Sequence, residues 1–187
     1  MVDVAVVYES LFGNTQRIAE AIAEGLRAAD PDVRVAVVRV ADATADMIRD
    51  VQLLIVGAPT HMLGMSRESS RRKAATVREK SAQGQQGSTA REPDAAPTGV
   101  REWLAALPKP PRGRSAAAFD TRLAFPLAGG AARFVGRGLR RLGYHLLVTP
   151  QGFIVDGAEG PLRDGECDRA KAWGADLLRT LAAVRVH

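Results

Sequence analysis

The stretch VVYESLFGNTQRIAEAIAEGL, Val6–Leu26, changes character at its centre. Up to Tyr8 it is apolar and β-branched, the composition of a strand covered on both faces. After Thr15 the apolar residues fall at Ile18, Ala19, Ile22, Ala23 and Leu26, one face of a helix. Between them lie Ser10, Leu11, Phe12, Gly13, Asn14 and Thr15. A loop at that point sets backbone N–H groups and a helix N-terminus at the carboxyl end of a strand, where an anion is favoured. Ser10 and Thr15 add hydroxyl donors, Asn14 adds an amide, and Gly13 permits tight curvature around a phosphate. The chain has neither the lysine of a Walker loop nor a GxGxxG fingerprint here. The pattern therefore fits a small cradle for a terminal phosphate monoester held by neutral donors. It equally fits a helix cap in which Asn14 or Ser10 satisfies free N–H groups, and the loop by itself leaves both readings open.

Working outward, the same alternation recurs along the chain. VRVAVVRV, Val33–Val40, reads as a second strand, a short helix is expected over Ala45–Asp50, and VQLLIVGA, Val51–Ala58, reads as a third buried strand. Helix over Val100–Leu107, strand over Ser115–Thr121, helix over Ala131–Leu142, strand over Leu146–Val155 and helix over Glu166–Ala183 follow. Strands alternating with helices imply a parallel sheet with helices on both faces. The expected fold is α/β, a doubly wound sheet in a single domain spanning 1–187. One stretch breaks the rhythm. Ser66–Gly99 is polar, and from Ser81 onward it is rich in Gln, Gly, Ser, Ala and Pro. It reads as a mobile insertion at 66–98.

Composition bounds the function. With 187 residues and 46% apolar side chains, the chain is long enough to bury a core without metals or staples. Its one cysteine, Cys167, excludes an internal disulfide and fits a reducing compartment. No run of 18 apolar residues and no signal-like N-terminus occurs, so a cytoplasmic protein without a membrane span is expected. The three histidines, His61, His145 and His187, are far apart, and with one cysteine no metal-ligand cluster is visible. The net charge of +5 is uneven: residues 1–50 carry 5 basic and 9 acidic side chains, whereas 99–150 carry 9 basic and 2 acidic. GRGLRRLG, Gly136–Gly143, belongs to an amphipathic helix with a basic face. Aromatic residues are not interleaved with the arginines as single-strand stacking would require, so nucleic acid is not the expected partner.

After the third strand comes GAPTHMLGMS, Gly57–Ser66. Together with SLFGNT and the order of elements it resembles the flavodoxin family, in which S/T-x-x-G-N-T holds the phosphate of FMN. The resemblance runs on to DGECDRAKAWGADL, which is similar to the family's last helix, and it implies a five-stranded sheet in the order 2-1-3-4-5. It assigns Ser10, Leu11, Phe12, Gly13, Asn14 and Thr15 to the phosphate. It sets Pro59, Thr60, His61, Met62, Leu63 and Gly64 along one side of the flavin ring. Asp120, Thr121 and Arg122 of FDTRLAFPLAGG would close the other side. The activity it implies is electron transfer through bound FMN. The alternatives are an FMN-dependent NAD(P)H:quinone-type reductase and a flavodoxin-fold interaction module without redox activity. The basic middle of the chain points to a redox partner with an acidic docking face.

Overall fold

The computed structural model describes residues 3–61, 64–65, 99–124, 130–157 and 159–185; for His61, Gly64, Met65 and Arg185 it describes the backbone alone. Met62, Leu63 and the insertion expected at 66–98 lie outside the described residues. In chain order the elements are β1 (Asp3–Tyr8), α1 (Asn14–Ala29), β2 (Arg34–Arg39), α2 (Ala45–Arg49), β3 (Leu53–His61) and β4 (Gly64–Met65). Then come α3 (Val100–Ala106), β5 (Ser115–Leu123), α4 (Ala131–Leu142), β6 (His145–Leu146), β7 (Gln151–Val155) and α5 (Glu166–Arg185).

The main sheet is parallel. β1 lies between β2 and β3, β3 pairs with β5, and β5 pairs with β6 and then with β7. This is the expected order 2-1-3-4-5, with the fifth position filled by two short pieces. Leu147 N–H still donates to Ala116 at 3.0 Å. Pro150 has no N–H to give, and the ladder resumes at Phe119↔Gln151. The third strand differs from expectation at both ends, starting at Leu53 and running on through His61. Its last two residues pair antiparallel with β4, Thr60↔Met65 and His61↔Gly64. The stretch that the sequence reads as a ring loop therefore begins as strand.

Two cores form because successive strand residues face opposite sides. Val4, Val6, Tyr8, Leu53, Ile55, Ala117 and Phe119 point toward α1 and α5, where Ile18, Ile22, Leu26 and Leu177 meet them. Ala5, Val7, Leu54, Val56, Ala116 and Ala118 point toward α3 and α4 and pack on Val100, Trp103, Val135 and Leu139. The α1–α5 crossing is a backbone contact. A Cβ on Gly25 would lie 1.9 Å from Lys171 O, and one on Gly174 would lie 2.3 Å from Ile22 O. Covered on both faces, the sheet leaves the carboxyl ends of β1, β3 and β5 as the place where connecting segments converge.

Candidate functional site

Three segments meet at those strand ends. The first follows β1. Glu9 N–H donates to Gly57 O at 2.9 Å, and the buried Glu9 carboxylate accepts from Val100 N–H at 3.0 Å, fixing the start of α3. Gly13 then turns the chain into α1 with φ +85°, a left-handed conformation that glycine adopts without strain. A Cβ at Gly13 would meet nothing within 4 Å, so conformation and not crowding selects glycine there. Among the described residues no side chain caps α1, which has 16 residues. Its first N–H groups have no acceptor within the helix. The expectation that Asn14 or Ser10 caps the helix is therefore not met. Asn14 Nδ2 instead donates to Glu159 O at 2.8 Å, tying this turn to the segment after β7. Ser10 Oγ is buried and has no hydrogen-bond partner among the described residues. Thr15 is 1% exposed, and its hydroxyl is 2.8 Å from that of Thr121, either one donating.

The second and third segments are the ends of β3 and β5, and they are wired to α4. Thr60 Oγ1 accepts from Ala131 N–H at 2.9 Å and donates to Asp120 Oδ2 at 3.1 Å. Asp120 Oδ2 also accepts from Ala132 N–H at 2.9 Å. Thr60 and Asp120 thus do for α4 what a capping residue would, since Gly130 at its start has no side chain to offer. Asp120 is 0% exposed, and its Oδ1 has no hydrogen bond among the described residues; Arg122 Nε stands 3.4 Å away. Burial pushes the Asp120 carboxyl above the usual range, against the opposing pull of the Ala132 N–H, the Arg122 charge and the Thr60 hydroxyl.

Arg122 lies between two glycines. A Cβ on Gly152 would fall 1.9 Å from Arg122 Nη2, and one on Gly130 would fall 2.5 Å from Nη1. The guanidinium bridges the start of α4 and β7 and faces Asp120.

Of the residues singled out by sequence, Ser10, Leu11, Phe12, Gly13, Asn14 and Thr15 form one turn at the head of α1. Pro59, Thr60 and His61 are the end of β3, and Gly64 pairs back onto His61. Met62 and Leu63 lie outside the described residues. Asp120, Thr121 and Arg122 share the carboxyl end of β5, and their side chains are engaged within the protein. Three contributors were not singled out. Glu9 anchors α3, Glu159 holds Asn14 through its carbonyl, and Gly152 makes room for Arg122. Only Glu9, a charge ending an apolar strand, leaves a trace in the sequence; the other two depend on segments that meet only in the fold.

The flavodoxin family model matches residues 6–93. No curated protein matches the sequence. Among solved structures, a flavodoxin from the domain Archaea is 21% identical, with 97% of this chain and 99% of that one covered at a TM-score of 0.62. The oxidised flavodoxin 2 of Bacillus cereus is 16% identical, with 95% and 99% covered at a TM-score of 0.65. A flavodoxin, WrbA-like protein from Agrobacterium tumefaciens is 17% identical, with 98% and 99% covered at a TM-score of 0.60. At these identities the likeness is one of fold.

Proposed function

We infer that this flavodoxin-like chain holds FMN at the carboxyl ends of β1, β3 and β5 and carries electrons between protein partners. The observation that carries the reading is Ser10 Oγ, buried and, among the described residues, unpaired, in the turn that leads into the uncapped N-terminus of α1. A buried hydroxyl without a partner costs about 1–3 kcal/mol. An anion on this turn supplies the acceptor and meets the positive end of the helix dipole at the same place. The donor set is neutral and small, which suits a phosphate monoester.

Within the turn the roles divide. Ser10 Oγ and the first N–H groups of α1 face the ligand. Asn14 holds the turn against Glu159. Thr15 has a hydroxyl proton to give wherever Thr121 is the donor of their shared bond. Pro59, Thr60, His61 and Gly64 flank the ring. Asp120, Thr121 and Arg122 flank it on the other side through backbone, since their side chains are held elsewhere. Bound FMN supplies reversible electron uptake, and the protein supplies orientation and the local field. A cytoplasmic setting and a partner with an acidic face complete the proposal, the latter supported by the nine basic and two acidic residues of 99–150.

The purified protein is expected to be yellow and to release FMN on denaturation. Ser10→Ala should weaken FMN by about 1–3 kcal/mol, roughly 5- to 150-fold in Kd by isothermal titration. Riboflavin, which lacks the phosphate, should bind far more weakly than FMN. Equal affinity for the two would overturn the assignment.

A further inference from the structure

Away from the strand ends, α3 and α4 enclose an open groove of about 510 Å³. Leu104 from α3 and Phe134 and Leu142 from α4 line it with apolar surface, and Arg101, Arg137 and Arg141 stand around it. Leu104 packs close on Gly138, where a Cβ would come within 3.1 Å of Leu104 Cδ1. Phe134 is 40% exposed, large for an apolar side chain, and the Arg137 guanidinium sits 5.8 Å above its ring.

Cations without a carboxylate partner gather on this surface, although Arg17, Arg27, Lys109, Arg112, Arg133 and Arg140 also lack one among the described residues. Arg34, Arg49, Arg163, Arg169 and Arg179 each pair with a carboxylate, as does Lys171. Arg101, Arg137 and Arg141 have no such partner among the described residues. Helix α4 holds four arginines and no acidic residue. Glu102 of α3 is turned back on Gly99 N–H at 3.1 Å. The groove therefore joins desolvatable apolar surface to unneutralised cations. It starts one turn from the α4 N–H groups that Thr60 and Asp120 hold.

We propose that the α3–α4 groove docks an acidic amphipathic helix of a partner protein. Apolar side chains of that helix lie beside Phe134 and Leu142, and its carboxylates meet Arg101, Arg137 and Arg141. This deepens the acidic-partner reading above by giving it a surface, and it does not depend on bound flavin. A two-fold contact of this groove with the same groove of a second copy would bring arginine against arginine. Nucleic acid would find a single aromatic ring to stack on, in a groove with apolar walls. A helix-in-groove mode with charge complementarity fits both halves of the surface.

The test uses fluorescence anisotropy with a labelled 15-residue helical peptide carrying leucine on one face and glutamate on the other. A scrambled peptide of the same composition and a 15-nucleotide single-stranded DNA serve as competitors. The amphipathic peptide should bind with salt-dependent affinity, equally with and without added FMN. Arg137→Glu with Arg141→Glu should weaken it at least about tenfold, and Phe134→Ala about fivefold, as central contacts of a docking surface do. Lys109→Glu with Arg112→Glu, the same charge change on exposed residues elsewhere, should weaken it less than about twofold. These positions are on the surface, and thermal melts verify that the variants fold. Equal binding of the scrambled peptide or the DNA, or equal losses from the two charge reversals, would overturn the proposal. So would a dimer in sedimentation that the Arg137/Arg141 reversal dissolves. Peptide binding by a protein that takes no FMN would sink the flavin reading and leave the groove standing.

Discussion

Asp120 shows how much of the site lies in side chains that never reach a ligand. A fully buried carboxylate is unfavourable unless it is paired, and here one oxygen caps α4 while the other faces Arg122 at 3.4 Å. Its carboxyl is raised from the usual 3.8 because burial outweighs those contacts. A group held above its unfolded value adds stability that is complete below 3.8 and is lost as pH rises through the native value. Asp120→Asn removes that titration. Its carboxamide oxygen can still accept from Thr60 and Ala132, while its NH₂ faces Arg122 at a cost that does not vary with pH. The difference in unfolding free energy between the parent and Asp120→Asn should therefore move against the parent as pH rises from about 3.5 to 7. Urea denaturation of both proteins across that range reads it, and a constant difference would show that Asp120 titrates as an ordinary carboxylate. The resemblance places Arg122 beside the flavin, where a bare cation would favour the reduced ring. With the Asp120 carboxyl 3.4 Å from its Nε, the guanidinium is not a bare cation. The sequence shows an Asp-Thr-Arg triplet at a strand end. Only the close approach of α4 and β7 reveals what those residues hold.

At the level of elements, hydrophobic period and glycine position tell different amounts. The α4 span Ala131–Leu142 was legible to the residue because its apolar positions recur at helical spacing and Gly143 ends it at φ +106°. Reading Leu146–Val155 as one strand misses the break between β6 and β7, although Thr149, Pro150, Gln151 and Gly152 separate its two apolar pieces and the proline marks the interruption. The β3–β4 pairing was hidden, because two-residue strands carry no period. Glycines inside helices are the other silent feature. Alanine in place of helical glycine ordinarily gains up to about 1 kcal/mol. At Gly174 the added Cβ would sit 2.3 Å from the carbonyl oxygen of Ile22, and backbone cannot yield as a flexible side chain does. Separating α1 from α5 disturbs a core that includes Ile22, Leu26 and Leu177. Overpacking of this kind costs about 1–3 kcal/mol or more, so the propensity gain loses. Gly174→Ala should lower the melting temperature by roughly 4–8 °C, taking a net loss near 2 kcal/mol. An unchanged or raised melting temperature would mean that the two helices shift apart without loss.

Across the whole molecule, the fold turns charge order along the chain into charge position. The acidic first fifty residues supply β1, β2, α1 and α2, whereas the basic stretch 99–150 supplies α3, β5, α4 and β6. In the order β2-β1-β3-β5 these groups fall on opposite edges of the sheet, so the segregation visible in the sequence becomes a polarity across the protein. The same layout bears on the connection from β4 to α3. Among the described residues, both cores close without it: Val100 is held by Glu9, Trp103 Nε1 donates to Ala43 O at 2.7 Å, and β3 is paired on both sides. We therefore propose that removing Gln83–Ala95 leaves the domain intact. Loop-closure entropy varies only with the logarithm of length, so shortening the 66–99 connection by thirteen residues changes stability by roughly 0.4 kcal/mol. For a chain of this size that is less than about 2 °C in melting temperature. If the parent binds FMN as proposed, the deletion variant should keep that affinity, since the turn at Ser10–Thr15 and the strand ends are untouched. A melting temperature lowered by more than about 5 °C would correspond to over 1 kcal/mol. That loss would show that the segment packs on one of the two cores and that the domain is not complete without it.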